Sequence, residues 1–289
     1  MPELPEVETI RRFLEPLITS LAITRLQVLH PKSFTGDPRR AEGQTISKLT
    51  RLGKQLTLHL SNDLCLHFHL KMTGQLVYSN HFLGHPTPNL LQVPNSSTRL
   101  VFTLSDNSKL YFNDQRLFGW VKLLNHSELA GIHTTLGIDI LDPQFNLDYF
   151  SSRLTSRKAI KLVLLDQSLF AGIGNIYAND SLFIAGIHPA TPANHLSSAQ
   201  IDRLHQAIVS IINEAIIHQG STAADDSYIL PDGSSGSHQY HFRVYQRAGE
   251  SCPTCHTPII RIALGGRGTF YCPNCQKLKP VDQLVISNL

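Results

Sequence analysis

The chain has 289 residues, of which 42% are hydrophobic and 16% are charged, and its formal net charge is +3 without its 15 histidines. This composition excludes a disordered chain, and the length allows two domains with their own cores. Four glutamates within residues 1–16 are unlike a secretory or mitochondrial leader, and no apolar run nears the ~20 residues that cross a bilayer. We therefore expect a soluble, intracellular protein.

The chain begins Met1-Pro2-Glu3-Leu4-Pro5. If Met1 is removed, Pro2 presents a secondary amine, and an α-amine with a pKa of about 8 is partly unprotonated and nucleophilic at neutral pH. Such an amine can form an iminium with a carbon at the aldehyde oxidation level, and Glu3 would then shuttle protons. The alternative is that the two prolines only shape the first turn of a helix.

Apolar residues at helical spacing predict an amphipathic helix over residues 3–18. Short alternating segments after residue 23 then predict strands, separated by turn residues such as Asn62-Asp63 and Asp106-Asn107. We predict an α+β protein whose N-terminal helix is attached to an antiparallel sandwich or barrel. The predicted strands are residues 56–60, 64–70, 75–78, 100–104 and 109–112.

The pattern turns helical again after a linker-like stretch that is rich in Gly, Asp and Pro. The clearest helix spans residues 197–219, with a single isoleucine- and leucine-rich stripe. Residues 220–238 are polar and rich in Gly and Ser, which is typical of a lid or of a plain linker.

Four of the five cysteines form two CxxC pairs, Cys252 with Cys255 and Cys272 with Cys275, separated by sixteen residues. Four thiolates at this spacing are typical of one tetrahedral zinc ion, with a β-hairpin between the pairs. Two disulfides are the alternative, but nothing in the sequence indicates an oxidising compartment. Four protein ligands would leave no open position, so the zinc would be structural. Cys65 lies in an apolar strand and is expected to be inert.

The predicted hairpin ends in Gly265-Gly266-Arg267-Gly268, where glycines allow a close approach of the backbone and one arginine projects. Residues 240–280 carry six Lys and Arg against one acid, Glu250. A basic terminal module on a near-neutral body indicates binding to a phosphate backbone, and therefore to nucleic acid.

Three motifs together carry a resemblance: PELPEVET at residues 2–9, GIGNIYA at residues 172–178, and RGTFYC at residues 267–272. The chain resembles the formamidopyrimidine-DNA glycosylases, and Leu4 distinguishes it from the related endonuclease VIII branch, which usually carries Gly there. The resemblance spans residues 2–276. It implies an N-terminal helix on a β-sandwich, a helix–two-turn–helix domain, and a β-hairpin zinc finger. It also implies a bacterial-type cytoplasmic, nucleoid-associated monomer that binds damaged double-stranded DNA.

On this resemblance the enzyme would remove oxidised purines, such as 8-oxoguanine and formamidopyrimidines, and would cleave the abasic product as a lyase. Base flipping would bring the damaged nucleotide into a pocket. Pro2 corresponds to the nucleophile, Glu3 to the acid that opens the sugar, and Lys54 to the proton donor in β-elimination. Arg267 corresponds to the phosphate-gripping arginine assigned to δ-elimination. Glu6 would support the base pocket or the helix.

The remaining implied residues contact DNA outside the reacting sugar. Asn175, Arg157 and Lys161 would bind the phosphate backbone. Met72, Arg116 and Phe118 would fill the gap that the flipped base leaves, with Phe118 as a wedge and Arg116 bonded to the orphaned base. The alternative for Met72 and Phe118 is that they are core residues.

The chain departs from the family pattern at three positions. Leu117 replaces a basic residue, Gln115 replaces a proline, and Ser97 stands where many members have a DNA-contacting histidine. Two other functions stay open: a glycosylase specialised for oxidised pyrimidines or abasic sites, and an inactive binder of damaged DNA. The predicted domains are a catalytic domain (1–132), a linker (133–147), a helix–two-turn–helix domain with its lid loop (148–238), a zinc finger (239–276) and a tail (277–289).

Overall fold

The structure is a computed structural model that describes residues 2–80, 92–222 and 228–278. The chain forms two compact units, Met1–Thr135 with Ala215–Gln239, and Leu136–Glu214 with Tyr240–Leu289. This division differs from the predicted domain boundaries, which stay a prediction. Parts of the predicted lid loop (223–227) and tail (279–289) lie outside the described residues. Among the described helices, none is long and apolar enough to cross a membrane.

The first unit begins with helix α1, Leu4–Ile18, close to the predicted range of 3–18. Glu3 and Glu6 form a capping box at its start, in which each side chain accepts from the other residue's backbone N–H. One face of α1, including Val7, Ile10 and Leu14, is fully buried. This face packs against the second of the two sheets described next.

Nine strands of the first unit form two sheets. One sheet has the order β1-β7-β8-β6 and the other the order β2-β9-β5-β4-β3, and every pairing is antiparallel except β2 with β9. Side chains of α1 and of both sheets share one hydrophobic core, which confirms the predicted sandwich. The strands are β1 Ile23–Val28, β2 Phe34–Thr35, β3 Ile46–Leu52, β4 Gln55–Leu60, β5 Leu64–His69, β6 Gly74–Ser79, β7 Thr98–Leu104, β8 Lys109–Asp114 and β9 Trp120–Asn125.

The five predicted strands correspond to β4 to β8, whereas β1, β2, β3 and β9 were not predicted. Strand β3 illustrates why. Its pairing with β4 shifts register between Ile46 and Lys48, so buried residues in β3 do not alternate with exposed ones. A bulge of this kind removes the two-residue period on which strand prediction depends. Helix α2, His126–His133, follows β9 and completes this part of the unit.

The second unit is mostly helical. Two residues of the predicted linker form β10, Ile138–Asp139, which pairs in parallel with β11, Phe170–Ala171. The rings of Phe145, Phe150 and Phe170 pack together in its core. The helices are α3 Leu147–Ser152, α4 Ile160–Leu164, α5 Asn175–Ile184 and α6 Ser198–Ile217.

Helix α6 matches the predicted helix over residues 197–219, and its stripe of Leu204, Ile208, Ile211 and Ile212 is buried. Strands β12, Ile260–Leu264, and β13, Arg267–Tyr271, form the predicted hairpin between the two cysteine pairs. The α+β fold with a sandwich, a helical region and a terminal hairpin is confirmed.

Candidate active site and metal centre

The predicted nucleophile and acid lie at the start of α1. Pro2 is buried and Glu3 is only 1% exposed. The backbone N–H of Glu3 donates to Oε2 of Glu6 over 2.7 Å. Pro2 therefore directly precedes the capping box that begins α1.

Glu6 joins the start of α1 to the segment that follows α6. Its Oε1 accepts from the backbone N–H and the hydroxyl of Ser221, over 3.0 and 3.2 Å. The neighbouring Gly220 has a φ of +77°, and a Cβ there would lie 2.9 Å from the Glu6 side chain. Glu6 therefore holds both the helix and the first residues of the predicted lid loop, and only glycine fits beside it.

Lys54 lies in the two-residue turn between β3 and β4, where Gly53 has a φ of +56°. Arg51 fixes this turn: its Nε donates to Oε2 of Glu8 on α1 over 3.0 Å, and its Nη1 donates to the carbonyl of Gly53 over 2.9 Å. Arg51 and Glu8 are both buried. The ion pair therefore ties the turn that carries Lys54 to the helix that begins beside Pro2.

Glu8 also accepts hydrogen bonds from Arg11 and Arg12. Burial alone would raise the pKa of Glu8, but the hydrogen bonds from Arg11 and Arg12 and the charge of Arg51 outweigh it and hold its pKa at about 2. Glu8 is therefore a carboxylate throughout the physiological range. It was not identified in the sequence, where it reads as one more acid on a helix.

His69 is a second residue that the sequence analysis missed. It ends β5, pairs with Gln55 beside the Lys54 turn, and packs against Trp120 with ring centroids 5.6 Å apart. Burial, helped by the charges of Lys71 and Lys54, lowers the pKa of His69 to about 3, so the ring is neutral. Its only signal in the sequence is its position three residues before Met72.

Met72 and Phe118 are exposed, by 40% and 57%, which excludes the alternative that they are core residues. Nη1 of Arg116 lies 3.9 Å from Sδ of Met72, and Phe118 follows in the same short loop between β8 and β9. The structure thus brings the three predicted gap-filling side chains to one region. Ser97 adjoins it, because its carbonyl accepts from the backbone N–H of Asp114 at the end of β8.

In the second unit, three side chains attach α5 to the hairpin. Nδ2 of Asn175 donates to the carbonyl of Gly268 over 3.1 Å. Oδ1 of Asn179, one turn further along α5, accepts from the backbone N–H of Phe270 over 2.9 Å. Lys161 on α4 completes the network and is fully buried.

Lys161, which the resemblance makes a phosphate contact, faces the hairpin in this structure, and its contact with DNA stays a prediction. Its ammonium donates to the Gly268 carbonyl (2.9 Å), the Thr269 hydroxyl (2.7 Å) and Oδ1 of Asn179 (3.3 Å), and it has no exposed surface. An ammonium has three protons to donate, and these contacts engage all three. Lys161 therefore positions the hairpin, whereas Arg157, the other predicted contact from this region, is exposed.

Asp180, next to Asn179, holds the segment that leads into the cysteine-bearing region. Its buried carboxylate accepts from the consecutive backbone N–H groups of Arg243, Val244 and Tyr245, over 2.8 to 3.0 Å. Burial raises the pKa of Asp180, although the three N–H donors oppose that effect. Neither Asn179 nor Asp180 was singled out in the sequence, because helix residues with polar side chains usually face solvent.

Arg267 is exposed at the first position of β13. Gly265 and Gly266, with φ of +55° and +71°, form the two-residue turn before it, a geometry that requires positive φ at both positions. A Cβ on Gly265 would lie 2.5 Å from the Leu162 side chain, so the tip also sits closely against α4.

The four cysteines predicted to bind zinc converge. Their sulfur atoms all lie within 4.8 Å of one another, with Cys252 to Cys275 at 3.9 Å and Cys255 to Cys272 at 3.4 Å. Four thiolates around zinc at ~2.3 Å place neighbouring sulfurs about 3.8 Å apart, so the set fits one tetrahedral ion. The site is structural, since four sulfurs close the coordination. Cys65 is separate and buried, and burial raises the pKa of its thiol to about 11.

Comparison with known proteins agrees with this arrangement. Residues 1–121 match the family model "Formamidopyrimidine-DNA glycosylase N-terminal domain", residues 136–227 match "Formamidopyrimidine-DNA glycosylase H2TH domain", and residues 249–278 match "Zinc finger found in FPG and IleRS". A formamidopyrimidine-DNA glycosylase from Chloroflexus aurantiacus is 41% identical over 284 residues, covering 96% of this chain and 98% of that protein.

Two solved structures are similar over 96% of this chain and all of the matched chain. The MutM (Fpg) protein of Thermus thermophilus is 36% identical with a TM-score of 0.86. Lactococcus lactis Fpg, solved with DNA that contains Fapy-dG, is 32% identical with a TM-score of 0.84, and it has also been solved with abasic-site DNA and with oxidised-pyrimidine DNA. This chain belongs to the formamidopyrimidine-DNA glycosylase family.

Proposed function

We propose that this protein is a bifunctional base-excision repair enzyme, a DNA glycosylase for oxidised purines with abasic-site lyase activity. The observation that carries the proposal is the start of α1, where Pro2 and Glu3 are buried and are linked through Glu8 and Arg51 to the turn of Lys54. The complexes of the Lactococcus lactis relative with Fapy-dG and abasic-site DNA support this choice of substrate.

The proposed chemistry uses one covalent intermediate for both activities. After removal of Met1, the Pro2 nitrogen attacks C1′ of the damaged nucleotide, and the glycosidic bond breaks with its electron pair leaving on the base. Glu3 protonates the sugar ring oxygen as the ring opens, which leaves an iminium between Pro2 and C1′. The iminium acidifies the C2′ proton, whose removal expels the 3′ phosphate.

The proposed DNA contacts come from both units. Lys54, Arg157, Asn175 and Arg267 bind phosphates, and Met72, Arg116 and Phe118 fill the gap left by the flipped base. The position of Lys54 in a turn held by Arg51 suits its role as a proton donor at the lesion phosphate. Ser97 and Glu6 complete the set, Ser97 beside the gap-filling loop and Glu6 behind the base pocket. We place the enzyme in the bacterial cytoplasm, on the chromosome.

The substrate is tested with duplexes that each carry one defined lesion: 8-oxoguanine, a formamidopyrimidine, an oxidised pyrimidine or an abasic site. Base release and strand cleavage are measured separately. We expect both activities on the purine lesions. Faster release of the oxidised pyrimidine would favour the alternative specialisation, and binding without release of any base would identify an inactive binder.

The nucleophile is tested by reduction with borohydride, which converts the iminium into a stable covalent adduct. A retained Met1 or an N-terminal tag should abolish the adduct and both activities while leaving binding largely intact. Pro2→Gly should keep some trapping, because it retains an amine. Glu3→Gln should impair base release more than cleavage at a pre-formed abasic site.

Lys54→Gln is the informative comparison in the same assay, with Lys48→Gln as its control, because Lys48 is exposed on β3. Lys54→Gln should slow strand cleavage while the adduct still forms. If a chain with a blocked N-terminus still traps DNA and Lys54→Gln does not, the nucleophile is Lys54 and the proposed role of Pro2 is wrong.

A further inference from the structure

A buried carboxylate accepts hydrogen bonds from both ends of the loop between β8 and β9, residues 115–119. Asp114, the last residue of β8, is fully buried. Its Oδ2 accepts from the backbone N–H of Gly119 over 2.7 Å, and its Oδ1 accepts from the backbone N–H of Arg116 over 3.2 Å. One side chain therefore fixes both ends of the loop that carries Arg116 and Phe118.

Thr73 joins this carboxylate to the neighbouring segment. Its hydroxyl donates to Oδ1 of Asp114 in a short hydrogen bond, and the same hydroxyl oxygen accepts from the backbone N–H of Arg116 over 3.1 Å. Thr73 directly follows Met72, whose sulfur lies against the Arg116 guanidinium. The Thr73 hydroxyl and the Asp114 carboxylate thus connect the two chain segments from which the three exposed side chains project.

The loop adopts a conformation that its residues do not favour by themselves. Leu117 has a φ of +58°, in the left-handed region that a residue with a branched side chain rarely occupies. A Cβ on Gly119 would lie 2.9 Å from the Phe112 ring and 3.1 Å from Oδ2 of Asp114. The hydrogen bonds to Asp114 and Thr73 therefore supply the stabilisation that keeps this loop in place.

We propose that Asp114 and Thr73 are positioning residues that hold Arg116 and Phe118 beside Met72 before DNA binds. The inference rests on the proposed function, in which these three side chains occupy the space of an extruded base. A loop that is already ordered loses less conformational entropy when it enters the duplex. In this proposal Asp114, which is fully buried, and Thr73 act through the loop and not on the base or the sugar.

The inference predicts which step depends on the two residues. The gap-filling side chains contribute most to base release when the lesion is stably paired. Extrusion then breaks the base pair, and these side chains must supply new contacts to the partner base that is left behind. The same lesion placed opposite an abasic analogue has no partner base to compensate. Loss of the positioning residues should therefore slow base release from the paired lesion much more than from the unpaired one.

The test measures single-turnover base release from 8-oxoguanine opposite cytosine and opposite an abasic analogue. Thr73→Val removes both hydrogen bonds of the hydroxyl and keeps the shape, and should slow release from the paired lesion by about 10- to 100-fold. Release from the unpaired lesion should change by less than about 3-fold, since the chemical step is untouched. Thr73→Ser, which keeps the hydroxyl, should restore the paired rate.

Asp106→Asn is the matched control. Asp106 lies in the turn before β8, at the opposite end of that strand from Asp114, and its Oδ1 likewise accepts from a backbone N–H and a hydroxyl, both of Ser108. This substitution should leave both rates unchanged, whereas Asp114→Asn should behave like Thr73→Val, because an amide nitrogen would face an N–H donor.

A second measurement detects the order of the loop without an activity assay. Trp120, the only tryptophan in the chain, follows Gly119, so quenching of its fluorescence by acrylamide reports on the loop. Quenching should increase in Asp114→Asn and Thr73→Val and not in Asp106→Asn. Unchanged quenching, a wild-type rate on the paired lesion, or equal slowing on both lesions would overturn the inference. A wild-type protein that neither releases base nor traps DNA would instead overturn the proposed function.

Discussion

Replacing Lys161 with methionine distinguishes a phosphate contact from a positioning role. The substitution keeps the aliphatic stem and removes an ammonium that donates to Gly268, Thr269 and Asn179. If Lys161 only bound DNA, the protein without DNA would be unaffected. If it positions the hairpin, the second unit should lose stability without any DNA present.

The size of the stability loss in Lys161→Met depends on which hydrogen bonds the former acceptors of the ammonium keep. The Gly268 carbonyl keeps its bond from Asn175, and Oδ1 of Asn179 keeps the Phe270 N–H. Hydrogen bonds to a charged group contribute about 1.5–3 kcal/mol each, but removing the buried charge also removes a desolvation penalty of several kcal/mol. We expect the free energy of opening the hairpin from α5 to fall by about 2 kcal/mol, which is roughly a 30-fold larger population of the open state.

The assay is hydrogen exchange at the Phe270 amide in the absence of DNA. Asn179→Ala should destabilise the hairpin more than Lys161→Met does. It leaves the buried N–H of Phe270 without its acceptor and removes one acceptor from the Lys161 ammonium. Lys158→Met is the control, since Lys158 is exposed. Unchanged exchange in Lys161→Met, together with weaker DNA binding, would refute the positioning role and restore the phosphate contact.

Three further outcomes are expected. Arg267→Ala should reduce the slope of log K for DNA binding against log salt by about 0.9, the value of one phosphate contact. Arg25 is an exposed arginine on β1, and Arg25→Ala should leave the slope unchanged. A wild-type slope in Arg267→Ala would show that Arg267 does not touch phosphate. Cys252→Ser or a strong chelator should unfold the hairpin and abolish duplex binding while the first unit stays folded. If elemental analysis found no zinc in active protein, this prediction would be wrong. Glu8→Gln should lower stability at pH 7 by about 2 kcal/mol. Because the folded pKa of Glu8 is about 2, below its ordinary 4.5, that difference should be full above pH 4.5 and fade towards pH 2 in urea melts.

Much of the fold was predictable from local patterns. Helix α6 has a long apolar stripe with the helical period of about 3.6 residues. Strands β4 to β8 are short apolar runs between turn residues, so they too are visible in the sequence. The zinc ligands were predictable because their chemistry fixes both residue type and spacing. Strand β3 was missed because its bulge removes the alternation, and the two-residue strands β2, β10 and β11 are too short to show any period.

The sequence singles out candidate site residues whose own chemistry is distinctive, and it gives no signal for residues that act through another residue. Pro2 directly follows the initiator methionine, and Arg267 stands among three glycines. Lys161 stands among apolar residues in the sequence (159–165), and only the tertiary structure shows the three buried acceptors of its ammonium. Asp114 and Asp180 show no distinguishing pattern, because their partners are backbone groups or are distant in the chain. Glu8 has local partners in Arg11 and Arg12, but its contact with Arg51 is not visible in the sequence.

The return of residues Ala215–Gln239 to the first unit has a consequence for the order of events during synthesis. Tyr228 and Leu230 belong to the sandwich core, and Ser221 supplies the N–H and hydroxyl that bind Glu6. A nascent chain that has emerged only as far as Thr135 lacks all three. At the ribosome's rate of roughly 5–20 residues per second, the remaining stretch arrives several seconds later. The buried Glu6 beside Pro2 therefore receives its partners late, and a fragment that ends at Thr135 should need residues Ala215–Gln239 in trans to complete its core.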